Sequence, residues 1–411
     1  MTPEVAVLEV RLHGRRIGAI TNLPGDRNHF TFDEAYVTDA DRPVLSLSFR
    51  DTFGGLITEV PPTQTRLPPF FANLLPEGAL RDYLAARAGV DRARDFFLLA
   101  VLGKDLPGAL EVEPAGDWIR LGEDPEVADS AAEGYRGSAD ALRFSLAGLQ
   151  LKFSAIQEAR GGLTIPTQGV GGNWIVKLPS PAFAAVPENE FAMLTLAGRI
   201  GIEVPAIALV RVADVGNLPP MLNLAGESAL SIRRFDRLAD GTRVHIEDFA
   251  QVFGVYPERK YERASYLNIA RVLWTVAGEE AIAEFLRRLV FNTLIGNGDM
   301  HLKNWSIIYP DWRTPRLAPA YDFVSTVAYL PNERLALGFG GSRDFAEMTY
   351  ERFERFAVKA GLPAVLTRRT VRETVDRFRQ VWRGSGDVPM DEAVREAIER
   401  HLGRMLLWTE A

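Results

Sequence analysis

The sequence contains no cysteine and only 5 histidines among its 411 residues. The absence of cysteine excludes disulfides, cysteine-ligated metal sites and a thiol nucleophile, and so few histidines argue against a histidine-rich metal centre. No apolar run approaches the roughly 20 residues that span a bilayer, and the first residues, MTPEVAVLEVRLHGRR, lack the apolar core of a signal peptide. The net charge of -7 argues against a general nucleic-acid binder. These absences predict a cytoplasmic protein with no membrane partner.

A chain of 411 residues is long enough for two or three domains. The spacing of its apolar residues changes three times along the chain, between strand-like and helix-like periods. Alternation around His13-Gly14 predicts a strand, a turn and a strand, and HFTFDEAYV and VLSLSF predict further strands. Helical spacing at about 70–102 and again from about 246 to the C-terminus predicts helices. The predicted order is an N-terminal β-rich domain (1–113), a Gly-, Ala- and Asp-rich linker (114–140), a small lobe of strands with one helix near 188–200 (141–237), and an all-helical large lobe (238–411).

The segment IGNGDMHLKNWSII (295–308) carries the densest set of chemically useful side chains. Phosphoryl transfer needs a carboxylate near the attacking hydroxyl, oxygen ligands for Mg²⁺ and a cation beside the moving phosphoryl group. Asp299 and Asn304 are five positions apart, the spacing of the catalytic Asp and the metal-binding Asn in the kinase loop HRDxxxxN, and Lys303 supplies the cation. His301 follows the Asp, whereas the kinase His precedes it. A polar turn after a helix would also use Asn, Gly and Asp.

Downstream, APAYDFVST places Asp322 between Tyr321 and Phe323. In kinases an Asp-Phe-Gly segment follows the catalytic loop, and its Asp holds Mg²⁺. Val324 replaces the glycine here. An ordinary loop aspartate is the alternative, but its position behind Asp299 favours a metal ligand.

Upstream, NWIVKLPS places Lys177 at the end of an apolar strand. Such a lysine is costly unless its ammonium group meets a charge or water. In kinases the lysine of the third strand binds the nucleotide phosphates and pairs with a glutamate of the next helix. Glu190 has a suitable separation, and Glu188 is a rival on the same predicted helix, where acidic residues near a helix N-terminus are also expected.

Two weaker patterns lie in the predicted small lobe. RFSLAGLQLKFS (143–154) contains Ala147 and Gly148, which let backbone approach a phosphate, but it matches neither G-x-G-x-x-G nor a Walker loop. SALSIRRFDR (228–237) predicts a strand that leads into a charged turn, where a kinase joins its lobes. A simple hairpin turn and a solvated edge strand are the respective alternatives.

Together these segments resemble the HipA family of bacterial Ser/Thr kinases, the toxin half of toxin–antitoxin pairs. The resemblance implies an α+β, two-lobed protein-kinase-like fold with an N-terminal β-rich subdomain and an all-α C-terminal lobe. It spans nearly the whole chain, and the Asp-x-His-x-Lys-Asn loop is its most specific part. The segments that carry it occur in family order: FFANLLPEG (70–78), SLAGLQLKF (145–153), WIVKLP (174–179), ENEFAMLTLAGRIGIEVP (188–205), SIRRFDR (231–237), GNGDMHLKNWS (296–306), LAPAYDFVS (317–325) and ERLALGFGG (333–341).

The resemblance implies ATP and Mg²⁺ as cofactors and assigns a role to each matching residue. Asp299 becomes the catalytic base, with Lys303 beside it, and Asn304 and Asp322 become the Mg²⁺ ligands. Ser145 matches the family's autophosphorylated serine. Where the best-known relatives have Glu before Arg-Phe-Asp-Arg, this chain has Arg233, so an adenine contact there must use backbone. The residues that the resemblance places around the nucleotide are Ala147, Gly148, Leu149, Gln150, Leu151, Lys152, Lys177, Arg233, Arg234, Phe235, His301, Leu302, Lys303, Asn304, Tyr321 and Asp322.

The resemblance also implies partners. Family members phosphorylate translation components, notably glutamyl-tRNA synthetase, and many bind HipB, a helix-turn-helix antitoxin that brings them to operator DNA. Two other functions stay open from the sequence. One is a kinase-fold small-molecule phosphotransferase, which uses a similar Asp-x-x-x-x-Asn loop. The other is a DNA-bound co-repressor, suggested by the arginine-rich segment 359–383, for which a solvated helix face is the plainer explanation.

Overall fold

The N-terminal part of the chain forms a five-stranded antiparallel sheet with short helices packed on it. His13 and Gly14 both have positive φ, 51° and 73°, the backbone that a two-residue hairpin turn requires, so the predicted first hairpin is confirmed. The computed structural model describes residues 6–116, 152–157, 163–165, 171–218, 226–330 and 332–409. The strands run in the order β4-β3-β2-β1-β5, and the elements are β1 (Ala6–Leu12), β2 (Arg15–Leu23), β3 (Arg27–Phe32), α1 (Glu34–Thr38), β4 (Thr63–Gln64), α2 (Pro69–Ala72), α3 (Gly78–Arg87), α4 (Asp95–Leu102) and β5 (Leu110–Pro114).

A second sheet has six strands and is antiparallel except where β10 pairs with β7. Its central strands pair in a register that sets Lys152 and Leu230 on either side of Lys177. The long helix of this lobe ends before Gly201, whose φ of 89° suits glycine. The strands run in the order β10-β7-β6-β8-β11-β9, and the elements are β6 (Lys152–Gln157), β7 (Leu163–Thr164), β8 (Trp174–Lys177), α5 (Val186–Arg199), β9 (Ile207–Arg211), β10 (Val215–Gly216) and β11 (Ser228–Arg233).

The C-terminal lobe is mainly helical and holds a large apolar cluster to which α5 also contributes. Its long helical stretch is two helices joined at Gly278, whose φ of 77° is not helical. None of the helices in the described ranges is both long and apolar enough to cross a membrane. The elements are β12 (His245–Asp248), α6 (Phe249–Val252), α7 (Tyr266–Leu294), β13 (Ser306–Tyr309), β14 (Arg316–Leu317), α8 (Tyr350–Ala360), α9 (Ala364–Arg383), α10 (Glu392–Leu402) and α11 (Leu406–Thr409).

Two expectations from the sequence were wrong. The large lobe is not all helical, because β12, β13 and β14 form a small antiparallel sheet that ties the start of the lobe to the segment after the Asp299 loop. In the N-terminal domain, the segments at 33–38 and 44–49 form no strands. Glu34–Thr38 is helical, and Leu47–Phe49 is a 3₁₀ turn capped by the Ser46 side chain, which accepts the Ser48 N–H.

A fully buried carboxylate, Glu247 on β12, joins the N-terminal domain to the large lobe. It accepts hydrogen bonds from the Ser46 hydroxyl (2.5 Å), the Leu47 N–H (3.0 Å) and the Tyr309 hydroxyl. Burial raises the pKa of Glu247 to about 7, against the opposing effect of these donors. The seam between the domains therefore contains a carboxyl group that titrates near neutral pH.

Replacing Glu247 by glutamine should change how stability depends on pH. Between the ordinary pKa of 4.5 and the folded value of about 7, the folded protein binds a proton that the unfolded chain has released, so the stability contributed by Glu247 falls as pH rises. Glutamine does not ionise. We expect Glu247→Gln to gain about 1–3 kcal/mol relative to the wild type between about pH 5 and about pH 8 in chemical denaturation. A difference that does not change with pH would contradict this account.

Candidate functional site

The ammonium group of Lys177 lies between two carboxylates where the sheet of β8 meets the large lobe. Its Nζ is 2.5 Å from Glu190 Oε1 on α5 and also donates to Asp322 Oδ1. The side chains of Lys177 and Glu190 are only 8% and 1% exposed, so each charge depends on its partner. The structure thus selects Glu190 over Glu188 as the partner of Lys177.

Asp322 has an unusual backbone, with φ at 56°, a conformation that Asp tolerates better than most residues. Burial would raise the pKa of its carboxyl group, but Lys177 and Lys152 hold that pKa well below its usual range. The same two carboxylates raise the pKa of Lys177 above its ordinary value despite burial. The two lysines therefore favour the ionised form of Asp322.

Asp299 lies in a loop that buried amides hold in shape. Its N–H donates to Asn297 Oδ1 (3.0 Å), and its carbonyl accepts the Asn304 side-chain N–H (2.9 Å). Asn297 also donates to the carbonyl of Asp322 (3.4 Å), which links the two acidic segments. The Tyr261 hydroxyl donates to Asp299 Oδ1. Burial outweighs that hydrogen bond and raises the pKa of Asp299 to about 7, a value suited to taking a proton at physiological pH.

His301 follows in the same loop and is 1% exposed. Among the described residues neither of its ring nitrogens has a hydrogen-bond partner, and its ring packs edge-on against Tyr261 with centroids 4.9 Å apart. Burial, with Lys260 next, lowers the pKa of His301 well below its ordinary value. A neutral imidazole of this kind could accept from or donate to a ligand.

The next three residues form a 3₁₀ turn, Leu302–Asn304. Leu302 is fully buried, while Tyr321 donates its hydroxyl to the Lys303 carbonyl (2.9 Å) and so fixes the turn against the Asp322 segment. Lys303 Nζ is 2.7 Å from Glu77 Oε1. Glu77 belongs to the N-terminal domain, and sequence reasoning assigned no role to it although it lies within FFANLLPEG.

The residues predicted to hold Mg²⁺, Asn304 and Asp322, offer one amide oxygen and one carboxylate. Because the Asn304 amide nitrogen already donates to the Asp299 carbonyl, its oxygen is the end that could meet a metal. No group of three or more acidic or histidine side chains that could hold a metal occurs in the described parts of the chain. This donor set fits Mg²⁺, which uses few protein ligands and takes the rest from phosphate and water.

The segment predicted to contact adenine leaves β11 beside this cleft. The Arg233 and Arg234 N–H groups donate to the carbonyls of Ala206 (2.8 Å) and Asn173 (2.9 Å), so neither N–H is available to a base. The Arg234 guanidinium is buried and pairs with Asp236 (2.9 Å). The backbone groups that remain for the predicted adenine contact are those of Phe235 and the carbonyls of the segment. The Phe235 ring lies 5.9 Å from that of Tyr321.

The predicted phosphate-side loop falls almost wholly on residues outside the described ranges. Ser145, Ala147, Gly148, Leu149, Gln150 and Leu151 belong to this set. Lys152 is described and starts β6 opposite Lys177 in the strand register, with an exposed side chain.

Helix α9 makes up most of the arginine-rich segment 359–383. Arg368 pairs with Glu354 (2.8 Å), and Arg377 donates to the Ile200 carbonyl (3.4 Å). Arg369 and Arg372 are exposed, as expected for the solvated face of a helix that buries its opposite face. The segment therefore has the arrangement of a solvated helix face.

Comparison with known proteins identifies two family domains. The HipA-like C-terminal domain matches residues 144–382, more than half of the chain, and the HipA N-terminal domain matches residues 8–113. The protein named "Putative kinase Y4dM" of Sinorhizobium fredii is 50% identical over 412 residues, covering 99% of each chain. The Serine/threonine-protein kinase toxin HipA of Shewanella oneidensis is 26% identical over 88% of this chain and 85% of its own.

A solved structure of the Shewanella oneidensis toxin–antitoxin system, with HipA, HipB and operator DNA, is similar in fold. It aligns with a TM-score of 0.74 at 23% identity, over 98% of this chain and 96% of that chain. The expected α+β, two-lobed kinase-like architecture is therefore confirmed. The two family domains, found in order along nearly all of the chain, show that it belongs to the HipA family of kinases.

Proposed function

We propose that this chain is a serine/threonine protein kinase that transfers the γ-phosphate of ATP, with Mg²⁺, to a protein hydroxyl in the cytoplasm. The observation that carries the proposal is the pairing of two acidic groups with opposite properties in one cleft. Asp299 has a pKa raised to about 7, whereas Asp322 is held ionised by Lys177. One carboxylate suits proton transfer, and the other suits a metal.

Each residue of the cleft has its own role in the proposed phosphoryl transfer. When bound, MgATP would supply the phosphoryl group, and the charge of Mg²⁺ would offset the negative charge on the phosphate oxygens. Lys177, oriented by Glu190, would contact the phosphates, and Asn304 and Asp322 would hold the metal. Asp299 orients the attacking hydroxyl and receives its proton. The remaining predicted contacts surround the nucleotide: Ala147, Gly148, Leu149, Gln150, Leu151 and Lys152 on the phosphate side, Arg233, Arg234 and Phe235 at the base, and His301, Leu302, Lys303 and Tyr321 along the loop.

The direct test is transfer of labelled phosphate from ATP in cells or extracts. Label on protein serine or threonine, lost in an Asp299→Asn control, supports the proposal and identifies the substrate, for which aminoacyl-tRNA synthetases are the first candidates. Label on small metabolites would favour the alternative of a kinase-fold small-molecule phosphotransferase.

Asp299→Asn and Asp322→Asn should separate catalysis from binding. At about a hundredfold excess over Kd, MgATP should stabilise the wild type by roughly 2.7 kcal/mol. Asp299→Asn should keep this stabilisation and lose about 10²–10⁴-fold in phosphoryl transfer, because only the base is removed. Asp322→Asn should lose both. Differential scanning calorimetry and single-turnover kinetics measure the two effects, and near-normal turnover in Asp299→Asn would show that another group is the base.

We further propose that the chain autophosphorylates at Ser145, two residues before Ala147, and thereby limits its own activity. A phosphate adds about -1.5 to -2 charge beside a loop meant for the phosphates of ATP. Protein phosphorylated at Ser145 should bind an ATP analogue more weakly than a Ser145→Ala variant does. Equal affinities in a titration, or phosphate mapped only to other residues, would refute the regulatory role.

We also propose that the chain is the growth-arresting toxin of a type II pair and binds a HipB-like antitoxin, which carries it to operator DNA. Support comes from the family and from the HipA of Shewanella oneidensis, whose structure contains HipB and operator DNA. In an electrophoretic mobility assay, the HipB-like antitoxin should slow operator DNA, and the chain should slow that complex further. The chain should have no effect on the DNA when the antitoxin is absent. A shift by the chain alone would favour the co-repressor alternative with direct DNA contact.

A further inference from the structure

The N-terminal domain reaches the catalytic loop through the segment Pro69–Gly78. Asn73 is buried and donates its side-chain N–H to the Val255 carbonyl in the large lobe (2.7 Å). In return, Gln251 donates to the Phe70 carbonyl (3.1 Å). These hydrogen bonds seat the segment on α6 and the turn that follows it. The end of the segment is therefore held at a defined position beside the Asp299 loop.

Glu77 stands at that end and bridges two lysines of the large lobe. Its Oε1 is 2.7 Å from Lys303 Nζ, and its Oε2 is 2.9 Å from Lys260 Nζ. Lys303 Nζ also donates to the Asn73 carbonyl (3.1 Å). The lysine side chains are only 15% and 8% exposed, so solvent screens these ion pairs less than it screens surface pairs.

The local backbone directs this carboxylate. Pro76 restricts the chain before Glu77, and Gly78 directly after it has φ at 54°, in the region that favours glycine. The turn Pro76-Glu77-Gly78 thus ends the seated segment and begins α3. A single carboxylate is presented to both ammonium groups.

Both lysines belong to segments that shape the loop around Asp299. Lys303 is four positions beyond Asp299. The Lys260 carbonyl accepts the Leu302 N–H (3.2 Å), and the adjacent Tyr261 donates to the Asp299 carboxylate. Without Glu77, two poorly exposed ammonium groups would lose their shared anion, and Lys303 would be left with its hydrogen bond to the Asn73 carbonyl and the more distant charge of Asp248.

We propose that Glu77 of the N-terminal domain is a positioning residue for phosphoryl transfer, which holds Lys303 where it can meet the transferred phosphate. This inference rests on the proposed kinase function. It makes the N-terminal domain part of the catalytic apparatus. Glu77 acts through Lys303 and does not touch the reacting atoms.

A double-mutant cycle tests the proposal on the full-length protein with Glu77→Gln, Lys303→Met and the double variant. We expect Glu77→Gln to lower kcat by about 10-fold or more and to change ATP affinity by about 2-fold or less. Added to Lys303→Met, the same change should alter kcat by less than about 3-fold, because the group through which Glu77 acts is already gone. Multiplicative losses would overturn the proposal and indicate an independent structural role.

Two further variants separate positioning from domain adhesion. Glu258→Gln makes the same chemical change at the same seam, where Glu258 pairs with Arg66, and should leave kcat within about 2-fold. Glu77→Asp keeps the charge and should recover part of the kcat that Glu77→Gln loses. If Glu77→Gln does not fold, Glu77→Asp is the variant that is compared with the wild type. Wild-type kcat in Glu77→Gln, or a Glu77→Asp variant no more active than Glu77→Gln, would overturn the proposal. Absence of phosphoryl transfer in the wild type would instead refute the kinase function.

Discussion

The buried ammonium group of Lys177 is the contact on which the candidate site depends. A charge with 8% side-chain exposure costs several kcal/mol unless it is neutralised. Its two partners come from different parts of the structure, Glu190 from α5 and Asp322 from the segment behind the Asp299 loop. Strand, helix and large lobe are therefore coupled, because displacing any one of them would leave a buried charge uncompensated.

The seam between the N-terminal domain and the kinase lobes is built from polar contacts, whereas the main apolar clusters of the two units are largely separate. Glu247 binds Ser46 and Leu47, and Asp236 accepts the Gly108 N–H (2.8 Å). Buried hydrogen bonds tolerate little displacement, since an unsatisfied buried group costs about 1–3 kcal/mol. Such a seam can fix the relative position of the units closely enough for the N-terminal domain to present a carboxylate to the Asp299 loop.

Local features could be predicted from the sequence, and contacts across long separations could not. The His13-Gly14 turn, the strand that ends at Lys177 and the five-residue interval between Asp299 and Asn304 follow from short-range rules. The choice of Glu190 over Glu188 needed the helix orientation, because two positions along a helix differ by about 200°. The link between Glu77 and Lys303 joins residues 226 positions apart, so periodicity and spacing carried no signal for it. The helical expectation near 246 failed because β12 finds a partner in β13, some 60 residues later.

The difference between Asp299 and Asp322 shows how one residue type acquires two different proton affinities. Asp322 accepts from a lysine ammonium group, and that positive charge overcomes the cost of burying the carboxylate. Among the described residues, the direct side-chain donor to the Asp299 carboxylate is the neutral Tyr261 hydroxyl, while Lys260 contributes at longer range, so burial prevails and the proton affinity of Asp299 rises. A metal site needs an anion that stays ionised, whereas a base must be able to hold the proton it receives. The placement of the lysine ammonium groups, that of Lys177 above all, therefore sets the difference in proton affinity between the two aspartates.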